Sequence, residues 1–394
     1  MTANIRASAA VARAIDILGD LVGFDTISSN SNLALMHYIE ALLAGQGITA
    51  ELLLDDTGRK ANLFATIGPA RAEGVILSGH TDVVPVAEQR WTSDPFVLTR
   101  RENRLYGRGT ADMKAFIACS LAALEFAEIA ALQRPIHLAF SYDEEVGCLG
   151  SPRLIERIRS SIARPAVVIV GEPSTMRIVA SHKSVNLYKA RVTGVPAHSS
   201  APHRGLSANA IAIRLMHVLL QIAERIAADD MHNADFQPPF STLTIGLMKG
   251  GTAANILAAE ASFVFDLRCL PAHDPDELLE PFHAEIDWMR SAYPAATITV
   301  EPLAAVPPLA RVADGASESF VRLISGDTSG VLAASFGAEA GQFQQADFAT
   351  VICGPGSMDQ GHQPDEFIEV AEIERCMQFM GKLFGAMCQP AAST

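Results

Sequence analysis

The sequence has no apolar run that approaches the ~18–20 residues needed to cross a bilayer. Its opening, MTANIRASAAVARAIDILGDLVGF, also lacks an apolar core ending in a small-residue cleavage site. Val11, Ile15, Leu18 and Leu21 recur there at helical spacing, which predicts an amphipathic first helix rather than a leader, and a cytoplasmic protein. Basic charge is short as well: 30 Lys and Arg stand against 44 Asp and Glu, a net charge of −14. That balance argues against nucleic acid and anionic membranes as partners, since both call for basic patches. The six cysteines (Cys119, Cys148, Cys269, Cys353, Cys376 and Cys388) include no C-x-x-C, so reduced, buried thiols are expected. Internal repeats and low-complexity tracts are absent too.

What the chain does have is an alternation of helical and strand patterns. At 394 residues it has room for two domains, or for one large domain carrying an insertion. Leu33, Met36, Ile39 and Leu43 predict a second helix that stops near Gly45. Strands are expected over 50–54, 63–67, 75–78, 136–141 and 167–170, with an Ala- and Leu-rich helix over 115–132. This order predicts an α/β fold with a mostly parallel sheet whose sites lie at the strands' carboxyl ends. From about Lys183 the order becomes strand (185–192), helix (206–228), two strands (242–247, 262–267) and helix (275–290), the mark of an inserted α+β domain. Alternation resumes at 298–300, 331–335 and 350–353, and a helix closes the chain from about Val370. The expected division is a catalytic domain over 1–182 and 294–394 with an insertion over 183–293.

Acidic and histidine residues gather where strands end. They are His80 and Asp82 in LSGHTDVVPV, Asp112 in YGRGTADMKAF, Glu144 and Glu145 in AFSYDEEVG, Glu172 in VVIVGEPS, and His362 in GPGSMDQGHQPDEF. Taken alone, His80 and Asp82 also fit a capping turn, and the glutamate pair a solvated one. Together, carboxylates converging on one sheet edge would repel and lose hydration. Two divalent ions remove that difficulty, each taking a histidine and a carboxylate while a third carboxylate bridges. Such a donor set suits Zn²⁺ or Co²⁺ better than Mg²⁺. Neighbouring residues leaving a strand point in different directions, so one glutamate of the pair can ligate metal while the other faces a water as general base.

With SGHTDVVP, YGRGTADMKAF, DEEVGCLGS, GEPS, GVPAHSS, GGTAANI, DLRCLP and GPGSMDQGHQPDEF in order, the chain resembles the M20 metallopeptidases, the dinuclear zinc amidohydrolases around acetylornithine deacetylase. The resemblance runs over nearly its whole length. It implies a zinc aminopeptidase-like catalytic domain with an inserted lid that forms a homodimer. His80 and Glu172 would hold one metal, Glu145 and His362 the other, and Asp112 would bridge them. Asp82 would orient the His80 ring, Glu144 would be the base, and the Asp112–Met113 peptide would be cis. His198 in the lid would reach the active site of the partner subunit and stabilise the oxyanion. Asn255 and Arg268 match lid positions that hold the substrate, although a salt bridge explains Arg268 equally well.

The resemblance further implies hydrolysis of an N-acyl amino acid, with N2-acetylornithine, an intermediate of arginine biosynthesis, as the expected substrate. Glu339, in FGAEAGQFQQADF, would then pair with the substrate's δ-ammonium. Acetylcitrulline, a succinylated diamino acid or a peptide is the alternative within the class. A catalytically silent binding relative is the alternative outside it, and the intact ligand set with Glu144 argues against that.

Overall fold

Almost uninterrupted apolar runs belong where a sheet is covered on both faces. In the computed structural model, which describes residues 2–70, 72–229, 231–312 and 315–390, four such strands are buried at every position. Ile136–Ser141, Val75–His80, Val167–Pro173 and Thr350–Gly354 lie side by side, each parallel to the next. Ala61–Ile67 then pairs antiparallel with Ile136–Ser141, and Ala50–Leu54 with Ala61–Ile67. At the other side Val179–His182 runs antiparallel to Thr350–Gly354, and Leu332–Ala334 stands outermost. The α/β sheet is thus parallel through its centre and antiparallel at its flanks.

Helices Thr2–Val22, Lys114–Phe126 and Val370–Met387 pack on one another, burying Ile17, Leu21, Phe116, Leu121, Met380 and Leu383. The helix expected over 115–132 ends earlier, at Phe126, and a 3₁₀ turn follows at Ile129–Ala131. Its placement depends on a glycine. A Cβ on Gly171 would lie 2.0 Å from the Phe116 ring, so only glycine lets the helix approach the strand one residue before Glu172. Three short strands, Thr99–Arg101, Arg104–Tyr106 and Phe367–Glu369, form a small antiparallel sheet that the sequence reading missed.

By contact the chain divides into two units: Met1–Ala180 with Arg311–Leu332 and Ala338–Thr394, and Ser181–Ala310 with Ala333–Gly337. The smaller unit therefore runs beyond the expected 183–293. The reason is Thr297–Val306, expected in the closing part of the larger domain, which pairs antiparallel with Val185–Thr193. Its sheet has the order Thr242–Gly250, Glu260–Arg268, Val185–Thr193, Thr297–Val306. Burial alternates along Glu260–Arg268 because helices Ala208–Ala228 and Pro275–Ala292 cover one face. Leu215, Leu219, Phe263, Phe265, Phe282 and Met289 fill that core. Among the described residues no helix is long and apolar enough to cross a membrane.

Candidate metal centre

Five of the expected ligands meet at the carboxyl ends of the central strands, all within the larger unit. His80 closes its strand, Glu172 lies near the end of the next, and Glu145 opens the turn that follows Ser141. Asp112 precedes helix Lys114–Phe126 across a cis Asp112–Met113 peptide, as expected. His362 sits in the loop after Thr350–Gly354 at φ 61°, in the left-handed region.

The geometry centres on Asp112. Its Oδ1 lies 3.0 Å from His80 Nε2, and its Oδ2 lies 3.2 Å from His362 Nε2. Glu172 Oε1 is 3.8 Å from His80 Nε2, and Glu145 Oε2 is 2.9 Å from His362 Nε2. His80, Asp112 and Glu172 thus form one donor group and Asp112, Glu145 and His362 a second, sharing the aspartate.

Whether these residues suit a cation can be tested on the donors themselves. His80 Nδ1 is 3.0 Å from the carbonyl oxygen of Asp82, which can only accept a hydrogen bond. Nδ1 therefore carries a proton, and without an ion Nε2 needs a second one to meet Asp112: against the lowering effect of burial, the hydrogen bond to Asp112 and the charges of Glu172 and Glu144 raise the His80 imidazole well above its ordinary value. Glu172 Oε1 is buried with no hydrogen-bond partner among the described residues. Buried carboxylates that need charged histidines between them, and one carboxylate oxygen left without a partner, call for positive charge at this point, so the residues fit divalent cations.

The protonation balance reflects the same crowding. Burial pushes the Glu172 carboxyl well above its ordinary range, with Asp112 and Glu144 adding to the push. Burial also takes Glu144 up to about 8 against the opposing pull of His80, and Glu145 up to about 7. Asp112 is the exception. Burial would raise it, but hydrogen bonds from His362 and His80 together hold it well below the usual carboxylate range. Its bonds to Asp112 and Glu145 in turn take His362 up to about 10.

The remaining expected residues stand differently. The role expected of Asp82 is corrected in part: its backbone carbonyl orients His80, while its carboxylate lies 3.7 Å from the ring nitrogen. That carboxylate instead accepts the backbone N–H groups of Glu144 (3.0 Å) and Glu145 (3.2 Å) and the Ser28 hydroxyl (2.6 Å). Glu339 is corrected outright. It is 1% exposed, and its two oxygens accept from Ser78 and Ser141, so it ties strands together and is closed to a substrate ammonium. His198 and Asn255 lie exposed on the smaller unit in adjoining segments, where Ser199 N–H donates to the Asn255 carbonyl and His198 bridges Ile256. Arg268, at the end of its strand, is held by both oxygens of Asp266, the salt bridge left open as its alternative.

Several supports had gone unassigned. Glu366 accepts the backbone N–H groups of Gly109, Ala111 and Asp112 while paired at 2.7 Å with the buried Arg108 guanidinium. Arg108 also donates to Gln89, whose amide reaches the His362 carbonyl. The signal for Glu366 was available, since it lies four residues after His362 in the same motif.

The model of Peptidase family M20/M25/M40 matches residues 76–385. An acetylornithine deacetylase of Proteus mirabilis (strain HI4320) is 34% identical over 370 residues, 92% of each chain. Another, of Myxococcus xanthus, is 34% identical over 379 residues, covering 94% of this chain and 96% of that one. The fold is shared with the M20 family metallo-carboxypeptidase Sso-CP2 of Sulfolobus solfataricus, with TM-score 0.76 and 17% identity over 95% of this chain and 99% of that one.

Proposed function

From the premise that the chain belongs to Peptidase family M20/M25/M40, we propose that it is a dinuclear metal-dependent amidohydrolase that releases acetate from N2-acetylornithine. One observation carries the reading: Asp112 offers one oxygen to each of two histidine–glutamate pairs. His80 and Glu172 would hold one ion and Glu145 and His362 the other. The histidine and carboxylate donors suit Zn²⁺, or Co²⁺. Bound there, the ions supply an acidified water and polarise the scissile carbonyl.

The chain's own residues handle the protons and the geometry. Glu144 neighbours the ligand Glu145 and is held by its N–H on Asp82. It takes a proton from the attacking water as the C–O bond forms, then gives it to the departing amine as the C–N bond breaks. Burial supplies the raised basicity this exchange calls for. To His198 the reading assigns a hydrogen bond to the developing oxyanion, delivered by a second copy of the chain. Acetylornithine as substrate is supported by the relatives of about one-third identity rather than by Glu339, which is buried in the core.

The test is release of free amine from N-acetylornithine, N-acetylcitrulline and N-succinyl-diaminopimelate by Zn²⁺- or Co²⁺-loaded protein, with Glu144→Gln alongside. Turnover of acetylornithine is expected, reduced by about 10²–10⁴-fold in the variant with metal content unchanged. Preference for a rival substrate would correct the acyl amino acid and leave the chemistry standing. Inactivity on all three would sink the reading.

A further inference from the structure

In DEEVGCLG the chain turns back on itself directly after the two glutamates. Cys148 lies in the left-handed region at φ 53°, and its N–H donates to the Glu144 carbonyl at 2.9 Å. Its own carbonyl accepts the Ser151 hydroxyl at 3.1 Å and the Gln342 amide at 3.2 Å. A non-glycine residue in this conformation persists only where its surroundings over-determine it. Here they aim the side chain. Cys148 is 2% exposed, and its Sγ lies 3.3 Å from Glu144 Oε1.

We propose that Cys148 is a positioning residue for the reaction: its S–H donates to Oε1 of Glu144, fixes the carboxylate's rotation, and leaves Oε2 as the oxygen that takes and returns the proton. This rests on the reading of Glu144 as the base. The chemistry of sulfur suits the task. A thiol is a weak donor, so it holds the carboxylate without drawing off the basicity the carboxylate needs, as a hydroxyl would. Burial, with Glu144, Glu339 and Glu172 nearby, pushes the Cys148 thiol well above its ordinary range. It therefore keeps its hydrogen, which disqualifies it as a nucleophile or a competing metal ligand.

The experiment compares Cys148→Ala and Cys148→Ser with the metal-loaded wild type, and reads the S–H infrared stretch with and without Glu144→Gln. Loss of one hydrogen bond predicts a fall in kcat of about three- to tenfold in Cys148→Ala with KM little changed. The acidic limb of kcat/KM moves to higher pH in Cys148→Ala, where the charged carboxylate loses a donor, and to lower pH in Cys148→Ser, where it gains a stronger one. The S–H band, assigned by its absence in Cys148→Ala, shifts to higher frequency when Glu144→Gln replaces the carboxylate with a weaker acceptor. Taken at alkaline pH, where Glu144 is charged, this last readout needs neither metal nor turnover. An unmoved band, or kinetics in Cys148→Ala that match wild type, would overturn the proposal. Should Cys148→Ala fail to fold, the infrared shift and the Cys148→Ser limb decide it. Retained turnover in Glu144→Gln would instead defeat the assignment of the base itself, so the two failures are distinguishable.

Discussion

Asp82 and Glu144 are joined through the backbone: the Asp82 Oδ1 accepts the Glu144 N–H at 3.0 Å, while the Asp82 carbonyl lies 3.0 Å from His80 Nδ1. One residue thus sets the ring of a proposed ligand and the turn that carries the proposed base. In Asp82→Asn the side chain keeps one acceptor for three donors, and the Glu144–Glu145 turn loosens. Turnover should fall by about 10- to 100-fold, the range for supports one step behind a metal. Steady-state kinetics with metal analysis would check this, and an Asp82→Asn enzyme as active as wild type would refute the assigned role.

The split duty of Asp82 shows where the sequence stops being legible. His80, Asp112, Glu145, Glu172 and His362 could be picked out because each stretch follows an apolar run that predicts a buried strand or precedes one that predicts a helix. The direction of a side chain is not written in that pattern. Glu339 was expected to meet a substrate ammonium, yet Ser78 and Ser141, both distant in sequence, claim its two oxygens in the core. Ser28 was invisible for the same reason, since its partner Asp82 is distant in the chain. The strands at Thr99–Arg101 and Arg104–Tyr106 carry arginines in place of alternating apolar residues, so no periodicity announced them. Thr297–Val306 was seen in part but assigned to the wrong sheet, because a strand's own residues do not name its partner.

His137 predicts a pH dependence of stability. Its Nδ1 is 2.9 Å from Thr66 Oγ1, its Nε2 has no hydrogen-bond partner among the described residues, and burial pushes the imidazole down to about 4. The folded value lies below that of the unfolded chain, so on acidification the unfolded state takes up the proton first. Stability present above pH ~6.5 is therefore lost as pH falls toward 4, by up to about 3 kcal/mol. Urea unfolding of wild type and His137→Gln at pH 7 and pH 4.5 isolates this effect from the other acids. Wild type should lose more on acidification than the variant, and equal losses would rule the effect out.

The proposed delivery of His198 by a second copy can be read by complementation. His198→Ala and Glu144→Gln should each be nearly inactive alone. Random pairing of the two after joint refolding gives mixed dimers with one complete site, so about a quarter of wild-type activity should return. A mixture no more active than its parents would show that His198 does not act across subunits.

The most direct measurement is calorimetric titration of chelator-stripped protein with Zn²⁺, beside Asp112→Asn. Because Asp112 belongs to both donor groups, wild type should bind two ions per chain and the variant should lose tight binding at both sites. A single ion in wild type, or two ions bound undisturbed by Asp112→Asn, would contradict a centre built around the shared aspartate.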